Sequence, residues 1–167
     1  MSKKQLSSAQ GVEAATILFE CNTIPTQVDA LATASGIVPE DADASKLMKF
    51  RLQWYGYVHA AVVAGLMVHA PNIVMATYLR STTYLLKKLN ISDTVCATFV
   101  DTYFSPYMEL LLHERQKECP ALFFRRYAGV ENLDSAPQHG VAMLAGAMAM
   151  TLGAIHDKLD NYDIQPE

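Results

Sequence analysis

The sequence predicts an all-α protein, an irregular or orthogonal bundle of six to seven helices around a buried central helix. Helix start and stop signals are frequent, whereas period-two alternation is rare and no Asn-Gly or Asp-Gly hairpin turn occurs. Of the 167 residues, 51% are hydrophobic, which is enough for a core without disulfides. Two runs, 52–79 and 135–156, contain no charged residue. Because a surface helix needs a charged stripe, these runs must be concealed.

Capping residues and a glycine predict where the first two helices begin and end. Ser7 and Gln10 have the spacing of a capping box, which predicts a helix that ends near residue 22. A short helix follows at 27–35, with Thr26 as its N-cap and Gly36 as a left-handed residue just after its end.

The longest predicted helix, 46–70, is the central one. Ser45 is its expected N-cap, and Pro71 ends it. Its first turns carry lysine and arginine, but from 54 to 68 it is apolar on every side apart from His59. This second half therefore requires burial.

The following region predicts two further long helices. The first, 72–89, is amphipathic, and Asn90 follows it as a left-handed residue. The second begins after the N-cap Ser92 and ends by residue 119. Its apolar spacing continues through Pro106, which predicts one kinked helix; a new helix capped by Ser105 is the alternative.

Two helices complete the bundle. A short helix at 121–127 is closed by Gly129. The last helix is predicted at 137–159, preceded by a second capping box formed by Ser135 and Gln138. Because no linker or repeat interrupts the chain, residues 1–167 are expected to form a single domain.

Composition excludes several classes of protein. The net charge of −4 gives no basic field for nucleic acid or anionic lipid. Three widely spaced cysteines do not form a disulfide framework and indicate a reducing compartment. No apolar segment directly follows the basic residues at positions 3 and 4, so a secretory signal is not expected. These features together predict a cytoplasmic protein.

The charge-free runs favour a protein environment over a lipid environment. The first run is divided by the sequence His-Ala-Pro-Asn at 69–72, and the second consists mostly of Ala, Gly and Met, which gain little free energy in lipid. Membrane insertion is therefore disfavoured. The small residues indicate close helix packing, either between the two apolar helices of one chain or at a homodimer seam formed by the last helix.

No motif identifies a catalytic residue, and no cofactor is expected. The nucleophile elbow, the phosphate-binding glycine loop, His-Glu-x-x-His and Cys-x-x-Cys are all absent. A metal site is one further possibility, since Glu109 with His113 and His156 with Asp160 each lie four residues apart, and the two pairs together supply ligands for zinc, iron or manganese.

Two other groups of residues are candidates for binding. Trp54, Tyr57, His59 and Tyr103 are aromatic or polar residues within apolar helices, and we expect them to line any cavity for an apolar or aromatic ligand. Arginine beside aromatic residues suits an acidic partner, and the candidates for this contact are Arg125 and Arg126. Small or flexible residues suit a helix–helix seam, and the candidates for the seam are Gly146, Met150 and Gly153.

DNA binding is disfavoured. Residues 28–37 are similar to the first helix and turn of a helix-turn-helix motif. The recognition helix would then present Glu40, Asp41 and Asp43 to the phosphates, which would repel them.

The sequence thus predicts a non-enzymatic helical protein that acts through protein–protein contacts, as an adaptor, a regulator or an inhibitor-type partner. Its expected partner is a second copy of itself, as a homodimer, or another protein. The alternative is a helical bundle that binds an apolar or aromatic ligand. A metal-dependent enzyme and a helix-turn-helix DNA binder have less support.

Overall fold

The computed structural model describes residues 2–134 and 136–167 and confirms the all-α fold. The helices are α1 (Ser8–Cys21), α2 (Pro25–Ala34), α3 (Ala44–His69), α4 (Asn72–Arg80), α5 (Thr82–Lys88), α6 (Asp93–Phe99), α7 (Ser105–Leu112), α8 (Cys119–Ala128) and α9 (Gln138–Asp160). A π-helical turn, Val100–Phe104, joins α6 to α7, and a 3₁₀ turn, Gln116–Glu118, precedes α8. Two short strands, β1 (Lys4–Leu6) and β2 (Tyr162–Ile164), pair in parallel.

Helix α3 is the axis of the bundle, as predicted. It packs against α1, α2, α4, α7, α8 and α9, and all its residues from 52 to 63 are buried. The predicted burial of 54–68 is wrong at its end, because Met67 is 48% exposed and Val68 is 70% exposed. The neighbouring helices cover α3 only as far as Leu66.

Several predicted caps are confirmed. Ser7 and Gln10 form both hydrogen bonds of the capping box, at 3.1 and 2.9 Å. Gly36 and Asn90 have φ angles of +74° and +62°, the left-handed conformation expected after a helix end. The Ser92 hydroxyl accepts a hydrogen bond from the Val95 amide.

Two predicted caps are wrong. Helix α3 is capped by Asp43 rather than Ser45, because the Asp43 carboxylate accepts the Lys46 amide hydrogen bond at 3.1 Å. Helix α2 begins at Pro25, so Thr26 lies inside its first turn. Proline suits the first helical position, where its fixed φ is preorganised and its missing N–H is not needed.

The predicted helix 72–89 is divided at Ser81 into α4 and α5. The Ser81 hydroxyl donates to the Tyr78 carbonyl at 2.6 Å, and the Thr82 hydroxyl donates to the Leu79 carbonyl at 2.6 Å. These side chains compete with the backbone for carbonyl acceptors, which interrupts the regular helix.

The run from α6 to α7 is one continuous helix, and the alternative of a new start at Ser105 is wrong. Ser105 is itself helical, and its amide donates to the Val100 carbonyl five residues back. Pro106 cannot donate to the Thr102 carbonyl, and the π turn accommodates this loss. The helix ends at Leu112, before the predicted limit of 119, and Glu114 takes a φ of +56°.

The π turn brings a backbone into direct contact with α3. A Cβ atom at Gly56 would lie 1.9 Å from the Tyr103 carbonyl oxygen. Only glycine permits this approach, so Gly56 fixes the position of the π turn against the central helix.

The last helix confirms the sequence prediction to within one residue at each end. The predicted capping box includes Ser135, which lies outside the described residues. Helix α9 packs on α3, where a Cβ at Gly65 would lie 2.8 Å from a Leu159 methyl group and 3.4 Å from Ile155. The predicted contact between the two apolar helices is thus observed.

The strand pair was not predicted. Leu6 is in register with Ile164, so the pair holds the start of the chain against the end of α9. Three residues are too few to show a period-two pattern.

We expect Gly56→Ala to destabilise the fold by about 2–3 kcal/mol, because the added methyl group overlaps the Tyr103 carbonyl and displaces the backbone. Urea unfolding measures the change. The control is Ala30→Gly, at an exposed position inside α2, where the lower helix propensity of glycine costs about 1 kcal/mol. Equal effects of the two variants would contradict the close contact.

Candidate functional site

Two of the predicted ligand-lining residues are packed in the core. The Trp54 indole N–H donates to the Asn22 carbonyl at 2.8 Å, and the Tyr57 hydroxyl donates to the Met148 carbonyl at 2.7 Å. Trp54 is 5% exposed and Tyr57 is 1% exposed. Their polar atoms therefore serve the fold, although the Tyr57 side chain also borders the groove described below.

His59 is held on both sides of its ring. Its Nδ1 lies 2.9 Å from the Tyr78 hydroxyl, and its Nε2 lies 2.9 Å from the Thr82 hydroxyl. Burial lowers the pKa of His59 to about 3, so the ring is neutral at pH 7. Tyr103, the fourth predicted residue, is half-buried, and its ring packs near Phe99 with centroids 5.8 Å apart.

The predicted metal ligands do not form one cluster. Glu109 and His113 contact each other at 3.1 Å on the exposed side of α7. His156 instead packs against His69, with ring centroids 5.6 Å apart, and Asp160 pairs with Lys3 at 3.1 Å. Within residues 2–134 and 136–167, no group of three or more His, Cys, Asp or Glu side chains is arranged to hold a metal ion.

Cys119 is a buried thiol. It is 0% exposed, and burial raises its pKa to about 12. A catalytic or redox thiol needs a lowered pKa and access to solvent, and Cys119 has neither.

The two predicted partner-binding arginines lie in the last turn of α8. The Arg126 guanidinium lies 3.5 Å from the Thr102 carbonyl at the surface. Arg126 is exposed and Arg125 is half-buried. The use of this pair in binding an acidic partner stays a prediction.

The outer side of α9 forms an exposed, uncharged surface, here named the α9 face. It consists of Ala142, Met143, Gly146, Ala149, Met150, Gly153 and Ala154. Met150 is 77% exposed, the highest value among the large hydrophobic residues of the described chain. The opposite side of α9 carries the buried residues Leu144, Met148, Ile155 and Leu159.

The glycines of the α9 face have no packing function inside the chain. A Cβ at Gly146 or Gly153 would meet nothing within 4 Å, in contrast to Gly65 and Gly56. A glycine inside a helix costs about 1 kcal/mol relative to alanine. No close contact within the described residues offsets this cost at Gly146 or Gly153.

Helix α9 is also the one helix in the described part of the chain that is long and apolar enough to cross a membrane. Only 22% of its most apolar 18-residue window is buried. Helices that pack against protein can have the same length and apolar composition. Helix α9 is therefore described as an unusually apolar helix that is largely exposed.

A groove of about 860 Å³ adjoins the α9 face and lies between α3, α7 and α9. Its deepest residues are Tyr57, Met108 and Met148, each at most 8% exposed. Its edge includes Val68 and Leu112, which are 70% and 49% exposed. The groove therefore extends from solvent to the centre of the bundle.

Four polar residues also line the groove: Glu114, Gln116, Lys117 and His156. Burial, and then the neighbouring His69, lowers the pKa of His156. The groove was missed from the sequence because it depends on where α7 ends, and no turn signal marks residues 112–115. Met67 and Val68 belong to a run without charged residues, and this pattern predicts burial.

We expect His59 to make stability depend on pH. The folded-state pKa of about 3 lies below the ordinary value of 6.5, so protons bind the unfolded chain first and stability falls as pH decreases through this window. Between pH 7 and 4 the wild type should lose about 2–3 kcal/mol more than His59→Gln, measured by urea unfolding. His113→Gln, at an exposed position, is the control and should follow the wild type.

Comparison of the chain with protein-family models, curated protein sequences and solved structures gives no match.

Proposed function

We propose that this protein acts through protein–protein contacts and self-associates as a homodimer through the α9 face, without enzymatic activity of its own. The observation that carries the proposal is an exposed, charge-free helix face with two glycines at which a Cβ atom would meet nothing within 4 Å. An adaptor, a regulator and an inhibitor-type partner all fit this mode of action.

The spacing of the small residues suits a second helix of the same kind. Ala142, Gly146, Ala149 and Gly153 are separated by four, three and four residues, the pattern of a helix–helix seam. Residues without bulk allow two helix axes to approach at the short end of the usual range of about 8–10 Å. Because a two-fold interface places the same surface on both partners, a face of small residues is complementary to itself.

The α9 face also carries larger residues beside the seam. Met143 and Met150 supply flexible, polarizable side chains that adapt to the surface of a partner. The face is about 18 Å long. A single helix face of this length is too small to bury the roughly 800 Å² per partner of a standard interface. The exposed edge of the groove, with Met67, Val68 and Leu112, extends the apolar area.

A reducing compartment is consistent with this proposal. Cys21, Cys96 and Cys119 are all free thiols, as in proteins of the cytoplasm. The second candidate function, binding of an apolar ligand, is favoured by the groove between α3, α7 and α9.

We expect Met150→Asp to weaken self-association by about 30-fold or more, because the seam would bury an unpaired carboxylate. Light scattering at increasing protein concentration should show twice the chain mass for the wild type and a shift to monomer for the variant. Ile17→Asp is the control. It places the same charge on an exposed apolar residue of α1, at 55% exposure, and should leave the mass unchanged.

A wild type that stays monomeric at high micromolar concentration would contradict the homodimer. Equal effects of Met150→Asp and Ile17→Asp would contradict the assignment to α9. Flotation of the wild type with phosphatidylcholine vesicles, lost in Met150→Asp, would assign the face to a lipid surface instead.

A further inference from the structure

Two histidines from different helices meet where the end of α3 packs against the last turns of α9. The rings of His69 and His156, here named the histidine pair, have centroids 5.6 Å apart and planes at 72° to each other. Both residues are partly buried, and the His69 side chain is 16% exposed. Two neutral imidazoles pack well in this position, whereas two imidazolium ions at the same distance repel each other.

The histidine pair belongs to the interface that holds α9 on α3. A Cβ at Gly65 would lie 2.8 Å from a Leu159 methyl group and 3.9 Å from the His156 Nε2 atom. Ile155 and Leu159, on either side of His156 along α9, are fully buried. A force that separates the two rings therefore acts directly on the packing of the last turn of α9.

Asp160 lies beside one ring of the pair. Its carboxylate is 3.6 Å from the His69 Nδ1 atom and pairs with the Lys3 ammonium at 3.1 Å. Asp160 is the last residue of α9, and Lys3 directly precedes β1, so these contacts join the ends of α3 and α9 to the strand pair. A proton on His69 is compatible with this arrangement, because the carboxylate balances its charge.

A proton on His156 is opposed more than it is supported. Burial, and then the neighbouring His69, lowers the pKa of His156, while Asp157 acts in the opposite direction. The groove lining adds one charge of each sign, Glu114 and Lys117. By linkage, a group whose pKa is lowered in a packed arrangement favours departure from that arrangement once it is protonated.

We propose that the histidine pair is a proton-sensitive switch: it stays closed while at most one ring is charged, and acidification that charges both rings releases the last turn of α9 from the end of α3. The strand pair loosens with it, because β2 follows directly after the end of α9. This inference does not depend on the homodimer, since every group in the switch belongs to a single chain.

The first test is a nuclear magnetic resonance titration of the full chain from pH 8 to 4.5, followed at the histidine rings. We expect the pair to titrate in two separate steps, with His156 charging below the ordinary value of about 6.5. His69→Gln removes the competing charge and should bring the midpoint of His156 closer to about 6.5. His156→Gln is the reciprocal variant and should leave a single step for the remaining ring. His113→Gln, at an exposed position of α7, is the matched control and should leave both steps unchanged.

The second test measures the release of α9 by amide hydrogen exchange. The Gln165 amide donates to the Leu6 carbonyl at 2.9 Å and reports on the strand pair. Its protection factor, which corrects for the intrinsic effect of pH on exchange, should fall about threefold or more between pH 7.5 and 5 in the wild type and stay within about 1.5-fold in His69→Gln. The Asn90 amide, which donates to the Lys87 carbonyl at the end of α5, is the internal control and should keep its protection.

The comparison with His69→Gln also cancels the effect of His59, which both proteins contain. Titration of the two rings at one shared midpoint near the ordinary value would overturn the switch, because it would show no repulsion between them. Two separate steps with unchanged protection of Gln165 would overturn the release of α9. Equal losses of protection in the wild type and His69→Gln would assign the acid effect to another group. Light scattering at pH 7.5 tests the homodimer separately from all of these outcomes.

Discussion

The structure depends on the concealment of α3. Residues 52–63 of this helix are buried on every side, so the helix has no face that water can solvate. Helices on all sides must therefore cover it, which explains why the chain forms a bundle around one axis rather than two layers. The closest approach is at Gly56, where the absence of a side chain lets the π turn bring the Tyr103 carbonyl against α3. The interior is completed by polar groups that satisfy one another, with His59 between Tyr78 and Thr82.

The same constraint explains where the cover is incomplete. Helix α7 ends at Leu112, and α9 passes along α3 with only one side buried. The last turn of α3 thus reaches solvent with Met67 and Val68, and the groove opens between the three helices. Part of the exposed apolar surface of the fold therefore lies at this end of α3 and along α9.

The helices could be predicted largely from local signals. The capping box at Ser7 and the left-handed Gly36 depend on neighbouring residues alone, and the sequence contains them. The π turn could not be predicted, because it depends on the fit of Tyr103 to Gly56, two residues far apart in the chain. The strand pair joins residues near the two ends, which no local pattern indicates.

The sequence indicates some residues of the α9 face, but it does not show how they pack. Gly146, Met150 and Gly153 were proposed from composition, and the structure leaves all three exposed. Composition did not indicate which small residues serve the interior: a Cβ at Gly65 would press on Leu159, whereas a Cβ at Gly146 or Gly153 would meet nothing within 4 Å. The aromatic residues proposed as ligand lining were selected for their chemistry, but in Trp54 and His59 that chemistry is used by hydrogen bonds within the core. Side-chain type identifies what a residue can do, and only the packing shows whether its groups are free.

The α9 face and the groove share Ala149 and Gly153, so a partner on the face and an occupant of the groove would meet at the same residues. A second copy seated on the seam would contact the same residues that border the groove, and a bound ligand would change the surface that the second copy meets. By thermodynamic linkage, whatever factor a ligand applies to self-association, self-association applies to the ligand. Helix α9 thus has one side in the core and small residues on the other, and the groove opens beside that second side.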